Sequence, residues 1–296
     1  MTDASDSIHI NSQSSIPTAL KWWEVYLRDQ NRSDFTIKAF LGDIRLLQKF
    51  LPPDIEVGQV STHDLNRFVE WMKNGRGRGI PCSPKSLSRR ITSLKSFFRW
   101  LFSNGRIPVD PAEILLQQSV VSPIPKVLDD QEIELALQAA QASSDDPRPY
   151  VLFKLLLETG IKKSECLNLR KSHLFFGEDE NYIFIRYADQ KDRNKERKIS
   201  ISDEWIAAYE NYLSVYQPED QVFPWSPRRL EYILEDISKA ANLTKHISFS
   251  MCRWNCALKD FQAGNDIDAI REKLGISKIQ WREISGKIKR LAKLPA

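Results

Sequence analysis

Cysteine is scarce in this chain of 296 residues, and long apolar runs are absent. Its four cysteines (Cys82, Cys166, Cys252 and Cys256) form no CxxC pair, which excludes a disulfide framework or zinc ribbon and predicts reduced thiols in a cytosol. The apolar run at 151–157 contains Lys154 and falls well short of the ~20 residues of a membrane helix. The first fifteen residues carry no Lys or Arg and no apolar core, so a secretory signal is not expected.

Acidic residues are missing from one long stretch, 73–106, which carries nine lysines and arginines. The chain as a whole is nearly balanced, with 43 Lys and Arg against 39 Asp and Glu. Concentrated positive charge repels itself in a folded protein, and a polyanion that releases its counterions relieves that repulsion. The stretch therefore predicts nucleic-acid binding, unless acids from elsewhere in the fold compensate it.

Within that stretch a helix is predicted to begin at Ser83-Pro84, because proline suits a first helical turn. On a helical wheel its leucines, isoleucine and Phe98 fall on one face, and cations with hydroxyls fall on the opposite face. Cations interleaved with hydroxyls are suited to grip phosphates. The residues of this region predicted to contact DNA are Arg76, Arg78, Lys85, Arg89, Arg90, Thr92, Ser93, Ser96 and Arg99.

Helical periodicity dominates the rest of the chain, with one small sheet from strands predicted at 182–187 and 198–201. Prolines at 108, 111, 123 and 125 indicate an extended linker between two domains. The predicted organisation is a disordered tail over 1–16, an N-terminal DNA-binding domain over 17–107, a linker over 108–126 and a C-terminal domain over 127–296.

Eight phrases follow one another in a characteristic order along residues 17–290. They are SDFTIKAF (33–40), SLSRRITSLKSFFRWL (86–101), DPA (110–112), IPKVL (124–128), LLLETGIKKSECLNL (155–169), NKER (194–197), ISFSMCR (247–253) and GNDIDAIREKLG (264–275). This order resembles the tyrosine recombinases, the Xer and phage-integrase group. The resemblance implies a mainly α fold, with a four-helix core-binding (SAM-like) N-terminal domain and a mainly helical catalytic-type domain that contains a small antiparallel β-sheet.

The same resemblance implies two domains clamped around duplex DNA and cleavage of one strand by a tyrosine. Two arginines, a lysine and two histidines or similar groups would stabilise the transition state. At those positions this sequence departs from the pattern. The family positions are occupied by Lys162 for the first arginine, Arg253 for the second, Ser250 and Ile276 for the histidines, and Ser285 for the nucleophile. The β-turn lysine is Lys191 if the alignment shifts by one residue, and Asp192 otherwise.

The missing nucleophile is evident without any alignment, because the last tyrosine is Tyr232 and the last histidine is His246. A serine hydroxyl is a weak nucleophile that needs a neighbouring base, and the usual base positions hold serine and isoleucine. No catalytic residue is therefore expected to be active. Further DNA contacts are predicted at Lys162, Lys163, Arg193, Lys195, Arg197 and Arg253, although Arg253 could instead form a structural ion pair with Glu165.

These observations predict a double-stranded DNA-binding protein of the recombinase fold that has lost strand cleavage and acts as a regulatory or architectural factor. It would act as a homo-oligomer on DNA or beside an active recombinase, in the cytoplasm with the nucleoid, without a membrane, a cofactor or a metal. The alternative is an active recombinase with a displaced nucleophile, drawn from Tyr209, Tyr212, Tyr216 and Tyr232. A third possibility keeps the fold for protein binding alone.

Overall fold

Helices form most of both units into which the chain divides, Met1–Ser122 and Pro123–Ala296. The structure, a computed structural model, describes residues 10–77, 79–117, 123–142 and 145–293. The predicted class, mainly α with a small antiparallel sheet, is confirmed. No helix within the described ranges combines the length and apolarity needed to cross a membrane.

The first unit contains the four predicted helices, each of which begins after a serine. The side chains of Ser15, Ser33, Ser61 and Ser83 each accept a hydrogen bond from a backbone N–H in the first turn, and such caps satisfy donors that a helix start leaves free. Large apolar side chains, among them Trp23, fill the centre of the unit. The helices are α1 (Ile16–Asp29), α2 (Asp34–Phe50), α3 (Thr62–Lys73) and α4 (Pro84–Ser103).

The predicted disordered tail requires correction from residue 10 onward. Ile10 is buried, and the backbone N–H groups of Val57 and Gly58 donate to the carbonyls of Ser14 (2.9 Å) and Ser12 (2.8 Å). Apolar burial and backbone pairing therefore order residues 10–15, despite their polar composition. Residues 1–9 lie outside the described part of the chain.

The predicted extended linker is also corrected over 108–117. Ala112 and Leu115 are buried in the core of the first unit, and the Thr62 hydroxyl donates to the carbonyl of Pro111 at 2.9 Å. The prolines shape a segment that packs on its own unit instead of spanning between units. Residues 118–122 lie outside the described ranges.

In the second unit four other helices pack against a central one, α6 (Arg148–Thr159), and three strands form an antiparallel sheet in the order in which they follow one another along the chain. The two predicted strands are present, and Ile183 pairs with Ile199. Sequence reasoning missed β1, which is only three residues long. The helices are α5 (Asp130–Gln141), α6 (Arg148–Thr159), α7 (Lys163–Leu167), α8 (Asp203–Tyr216), α9 (Pro227–Ala240), α10 (Phe249–Gln262), α11 (Ile267–Lys273) and α12 (Lys278–Leu291), and the strands are β1 (Leu174–Phe176), β2 (Asn181–Ile185) and β3 (Arg197–Ser200).

The last helix packs on its own chain. Trp281 and Ile288 of α12 join Ile270, Leu274 and Ile276 in a small apolar cluster. This cluster fixes the rotation of α12 about its axis and therefore decides which of its residues face outward.

Candidate phosphate-binding site

Three cationic side chains converge on the C-terminal end of α11. A helix end carries unsatisfied carbonyls and a partial negative charge, so it attracts cations. The contacts are Arg197 Nε to the Lys273 carbonyl (2.6 Å), Arg253 Nη2 to the Leu274 carbonyl, and Lys162 Nζ to the Gly275 carbonyl (3.2 Å). Three consecutive carbonyls thus gather groups from three separate parts of the sequence.

Two glycines allow this close approach, and both adopt the left-handed conformation in which a side chain is strained. Gly160, with φ of 57°, ends α6, and a Cβ there would lie 2.8 Å from Leu274 Cδ2. Gly275, with φ of 56°, passes the Arg197 guanidinium, and a Cβ there would lie 2.7 Å from its Nη1. The backbone conformation at these two glycines, as well as the charges, therefore allows the three cations to come together.

Glu165 is the carboxylate at the centre of the cluster. Its Oε2 accepts from Arg197 Nη2 at 2.9 Å and from the Lys162 backbone N–H at 2.8 Å, and the Tyr187 hydroxyl donates to Oε1. Burial alone would raise the pKa of Glu165, but the hydrogen bond and charge of Arg197, with these other donors, outweigh it and lower that pKa to about 2. One buried carboxylate therefore faces several cations, which leaves the site with an excess of positive charge.

Lys162 is the member of the cluster that reaches solvent. Its side chain is 35% exposed, against 9% for that of Arg197. Burial lowers the pKa of Lys162 below its ordinary value, and the neighbouring charges of Arg253, Arg197 and Lys195 lower it further, against the opposing effect of Glu165. Cations that lower one another's pKa in this way are suited to bind an anion, which would relieve their repulsion.

Arg253 is held by carbonyl oxygens. Its Nη1 donates to the Gly160 carbonyl and its Nη2 to the Leu274 carbonyl, so the ion pair with Glu165 that the sequence left open is not formed. Burial lowers the pKa of Arg253 from its ordinary value. A guanidinium has five N–H donors, and Arg253 uses two of its nitrogens in these carbonyl contacts.

The two positions that the resemblance assigns to proton-transfer groups hold Ser250 and Ile276. Ser250 lies exposed in the first turn of α10, and Ile276 is 8% exposed in the apolar cluster beneath α12. The Ser285 hydroxyl donates to the Arg282 carbonyl at 3.4 Å, and among the described residues no histidine or carboxylate is hydrogen-bonded to it.

The predicted basic turn forms a short 3₁₀ helix, Gln190–Lys195. Within it Lys195 pairs with Asp192, and Arg193 is exposed. The side chain of Lys191 lies outside the described part of the structure. Arg197, predicted to contact DNA, is corrected to a buried ion-pair partner of Glu165, because β3 turns it inward toward α7 and α11.

In the first unit a buried acid occupies the predicted DNA-contacting face of α4. Asp43, in α2, is 4% exposed. It accepts from Arg89 Nη1 (2.6 Å) and Nη2 (3.0 Å) and from the Ser93 hydroxyl (2.7 Å), and Arg90 Nε lies 3.4 Å away. Ser93 has no exposed surface, so its predicted role in DNA contact is corrected to a structural one. Asp43 is therefore a compensating acid of the kind that the sequence analysis left open, and it offsets the charges of Arg89 and Arg90.

The remaining predicted contacts of α4 keep their exposure. Lys85, Thr92 and Arg99 are exposed and Ser96 is half-buried. Arg76 is half-buried with a φ of 58°, and Arg78 lies outside the described residues. In the second unit Lys163, which is half-buried, pairs with Glu231 at 2.6 Å.

Sequence reasoning missed two residues that organise these clusters, Asp43 and Tyr187. Asp43 could have been noticed from the sequence, because it is a charged residue beside the apolar positions of α2. No feature of the sequence predicted that Tyr187 would donate to Glu165. Cys252 and Cys256 are buried, as their helical spacing indicated. The described residues contain no cluster of three or more His, Cys, Asp or Glu side chains that could hold a metal ion.

The proposed alternative nucleophiles differ in accessibility. Tyr209 and Tyr212 are buried, at 2% and 0% exposure, and Tyr216 donates a hydrogen bond to Asp146 at 3.1 Å. Tyr232 is 40% exposed and accepts a hydrogen bond from Arg228 Nε at 2.7 Å. Of the four, Tyr232 is the most exposed, and Tyr216 is half-buried.

Comparison with known proteins gives a consistent result for both units. The phage integrase family matches residues 126–283, and the phage integrase N-terminal SAM-like domain matches residues 20–105. The chain is 26% identical over 279 residues to tyrosine recombinase XerC of Pediococcus pentosaceus, covering 86% of this chain and 88% of that protein. It is also 26% identical over 266 residues to tyrosine recombinase XerD of Listeria monocytogenes, covering 84% and 86%.

Two solved structures have a similar fold at low sequence identity. A lambda integrase dimer bound to a COC′ core site matches with a TM-score of 0.74 and 16% identity, over 97% of this chain and 80% of that one. XerH recombinase bound to palindromic difH, in a post-cleavage complex, matches with a TM-score of 0.74 and 17% identity, over 94% and 82%.

Proposed function

Because this chain belongs to the phage integrase family of tyrosine recombinases, we propose that it binds double-stranded DNA on the recombinase scaffold without cleaving it. It acts as a regulatory or architectural factor, as an oligomer on DNA or beside an active recombinase, in the cytoplasm at the nucleoid. One contrast supports the proposal. Lys162 and Arg253, the cations suited to bind a phosphate, lie together, whereas the position of the nucleophile holds Ser285 with no base hydrogen-bonded to it among the described residues.

The cation cluster supports phosphate binding in the following way. Lys162 and Arg253 converge on the carbonyls at the end of α11, and Lys162 is open to solvent. A lysine at this position keeps the charge of the family's arginine but loses the planar fork that binds two phosphate oxygens at once. The site is therefore suited to hold a phosphodiester by charge, and less suited to stabilise a transition state by fixed geometry.

The proposed loss of chemistry rests on Ser285 and Ile276. An alcohol has a much higher pKa than a phenol, so serine is the poorer nucleophile without a base and the poorer leaving group for religation. Isoleucine can neither accept nor donate a proton. General acid–base assistance typically contributes 10²–10⁴-fold, and both histidine positions have lost it.

Duplex DNA as the ligand is supported by the fold and by the exposed cations. Solved structures of similar fold contain a lambda integrase dimer on a core site and XerH on a palindromic site. Lys85 and Arg99 stay exposed on α4 although Asp43 engages two neighbouring arginines. If six to ten phosphates are contacted, affinity falls roughly 10³–10⁵-fold between 50 and 200 mM salt.

One observation favours a second candidate, an active recombinase with a displaced nucleophile. Tyr232 is exposed, and Arg228 Nε donates to its phenolic oxygen at 2.7 Å. Its side chain lines a surface groove that also contains Ser250 and Lys163. Tyr232 is thus the residue to replace in any test of residual cleavage.

The experiment is selection of bound sequences from random duplex DNA, followed by a nicking assay on the selected sites with a suicide substrate that traps covalent intermediates. Salt-sensitive binding of a defined site without any adduct supports the proposal. An adduct that Tyr232→Phe abolishes establishes the second candidate instead. Binding that does not respond to salt contradicts both.

The role of Lys162 is tested by its glutamine variant. Loss of one phosphate contact lowers the slope of log K against log salt by about 0.9. Lys198→Gln is the matched control, because Lys198 is an exposed lysine paired with Glu180 on the sheet, and its slope should equal that of the wild type. Equal slopes for both variants would contradict a phosphate contact at Lys162.

A further inference from the structure

We propose that Tyr187 is a positioning residue of the cation cluster, which keeps the Lys162 ammonium available for a DNA phosphate. This inference rests on the proposed function and names a residue on which phosphate binding at that site depends. Tyr187 lies two residues beyond the end of β2 and packs against the apolar core of the second unit. Its hydroxyl donates to Glu165 Oε1, and its backbone N–H donates to Glu196 Oε1 at 3.0 Å.

The Glu165 carboxylate has no acceptor position left for the ammonium of Lys162. An ionised carboxylate offers about four lone-pair positions, two on each oxygen. Its Oε2 accepts from Arg197 Nη2 (2.9 Å) and from the Lys162 backbone N–H (2.8 Å). Its Oε1 accepts from Arg197 Nη1 (3.1 Å) and from the Tyr187 hydroxyl. Of these donors, the Tyr187 hydroxyl is the one that belongs to a neutral side chain.

The ammonium of Lys162 is accordingly held at a distance from this carboxylate. Its Nζ lies 3.5 Å from Glu165 Oε1, whereas a charge-assisted N–H···O bond measures about 2.7–2.9 Å. The Nζ donates instead to the Gly275 carbonyl at 3.2 Å, and 35% of the side chain is exposed. A lysine bound to a neutral carbonyl is not compensated by a close negative charge, so it attracts an anion that arrives from solvent.

The protonation states make the phenol the donor and the carboxylate the acceptor. Burial alone would raise the pKa of Glu165, but the hydrogen bond and charge of Arg197 outweigh it and lower that pKa to about 2. Burial, with the hydrogen bond and charge of Glu165, raises the pKa of Tyr187 above its ordinary value. At neutral pH the carboxyl group is therefore ionised and the phenol keeps its proton. The Glu165 side chain is 1% exposed, so bulk water has little access to the position that the phenol occupies.

Removal of the Tyr187 hydroxyl would vacate one acceptor position on Glu165 Oε1. Lys162 Nζ, at 3.5 Å, would reach that position by a shift of less than about 1 Å and form a close ion pair. The pair would neutralise the charge that is otherwise presented to DNA, and phosphate binding would weaken. Tyr187 thus acts through Lys162, since its own hydroxyl is already bound to the carboxylate.

The test combines Tyr187→Phe with Lys162→Gln in the full chain on a selected DNA site. We expect each single variant to lower the slope of log K against log salt by about 0.9. The double variant should lower it by the same amount, because both changes remove one and the same phosphate contact. A tyrosine that only supported the fold would leave the slope unchanged, and its effect on affinity would add to that of Lys162→Gln.

Tyr150→Phe is the matched control. The Tyr150 hydroxyl also donates to a glutamate that pairs with a lysine, since Glu204 accepts from it at 2.5 Å and from Lys154 at 2.6 Å. The control therefore removes the same kind of hydrogen bond outside the cation cluster. Its slope should equal that of the wild type.

The ionisation of Lys162 provides a readout that does not involve DNA. NMR titration of ¹³C-labelled lysine side chains measures its pKa, and Lys162→Gln identifies its resonance. We expect this pKa to rise in Tyr187→Phe, because a close carboxylate favours the charged form of a lysine. It should stay unchanged in Tyr150→Phe.

The outcomes separate this inference from the proposed function. If Lys162→Gln lowers the slope, then an unchanged slope or an unchanged pKa of Lys162 in Tyr187→Phe overturns this inference alone. A Tyr187→Phe variant that circular dichroism shows to be unfolded also overturns it, because a positioning role leaves the fold intact. An unchanged slope for Lys162→Gln overturns the phosphate contact of the proposed function itself.

Discussion

Neutralising Glu165 is expected to destabilise the second unit by about 3 kcal/mol at pH 7. In the Glu165→Gln variant Arg197, whose side chain is 9% exposed, keeps its charge but loses its partner. Breaking a buried ion pair by removing one side typically costs about 3–5 kcal/mol. Independently, a carboxyl whose pKa falls on folding from an ordinary 4.5 to about 2 contributes about 3 kcal/mol at neutral pH. The two values agree.

The pH dependence distinguishes charge from packing. Because folding lowers the pKa of Glu165, its contribution to stability is fully present above about pH 4.5 and is lost as the pH falls toward 2. The difference in stability between the wild type and Glu165→Gln should therefore be nearly constant from pH 7 to 5 and should shrink to a small fraction as the pH approaches 2, where about half of the Glu165 carboxyl groups are protonated in the folded state.

Urea unfolding of the full chain across this pH range measures the difference. Hydrogen exchange of the β2 and β3 amides at pH 7 identifies which unit has lost stability. Glu180→Gln serves as the control, because Glu180 and Lys198 are both more than half exposed and such pairs contribute at most about 1 kcal/mol. A loss below about 1 kcal/mol for Glu165→Gln, or a difference that persists unchanged at pH 2.5, would refute this reasoning.

Two further pairs of variants test the packing of the clusters. Gly275→Ala should lower the melting temperature, since its Cβ would lie 2.7 Å from the Arg197 guanidinium at a φ of 56°, whereas Gly286→Ala, in α12 with nothing within 4 Å, should stabilise the helix by about 0.5–1 kcal/mol. Equal effects of the two would contradict the packing described. Asp43→Asn should destabilise the first unit by roughly 3 kcal/mol in urea unfolding, while Asp34→Asn, at an exposed acid of α2, should cost less than about 1 kcal/mol.

Local patterns predicted the helices and their starts, because capping and apolar periodicity are properties of neighbouring residues. The serine caps at Ser33 and Ser83 and the apolar face of α4 were readable in this way. The sheet was readable only in part, since β1 has three residues of which two are exposed. A short exposed strand gains its order from the strand beside it, and not from its own composition.

Pairing between distant segments was not predictable from the sequence alone. Ser93 occupies the edge of the polar face of α4, and it is buried because α2 brings Asp43 against it across fifty residues of sequence. Arg197 follows a turn rich in charge and begins β3, and its side chain points inward, where it pairs with Glu165. In both cases a buried acid from another element changed a residue expected at the surface into a structural one.

The two carbonyl contacts of Arg253 bear on how members of this family are judged from sequence. Its guanidinium joins the C-terminal ends of α6 and α11 through the carbonyls of Gly160 and Leu274, and a cation at a helix end is stabilising. Selection for folding alone would therefore retain an arginine here after selection for catalysis has ended. A classification that relies on this arginine to identify active recombinases would therefore also accept members that do not cleave DNA. The residue at position 285 is the more informative marker of activity.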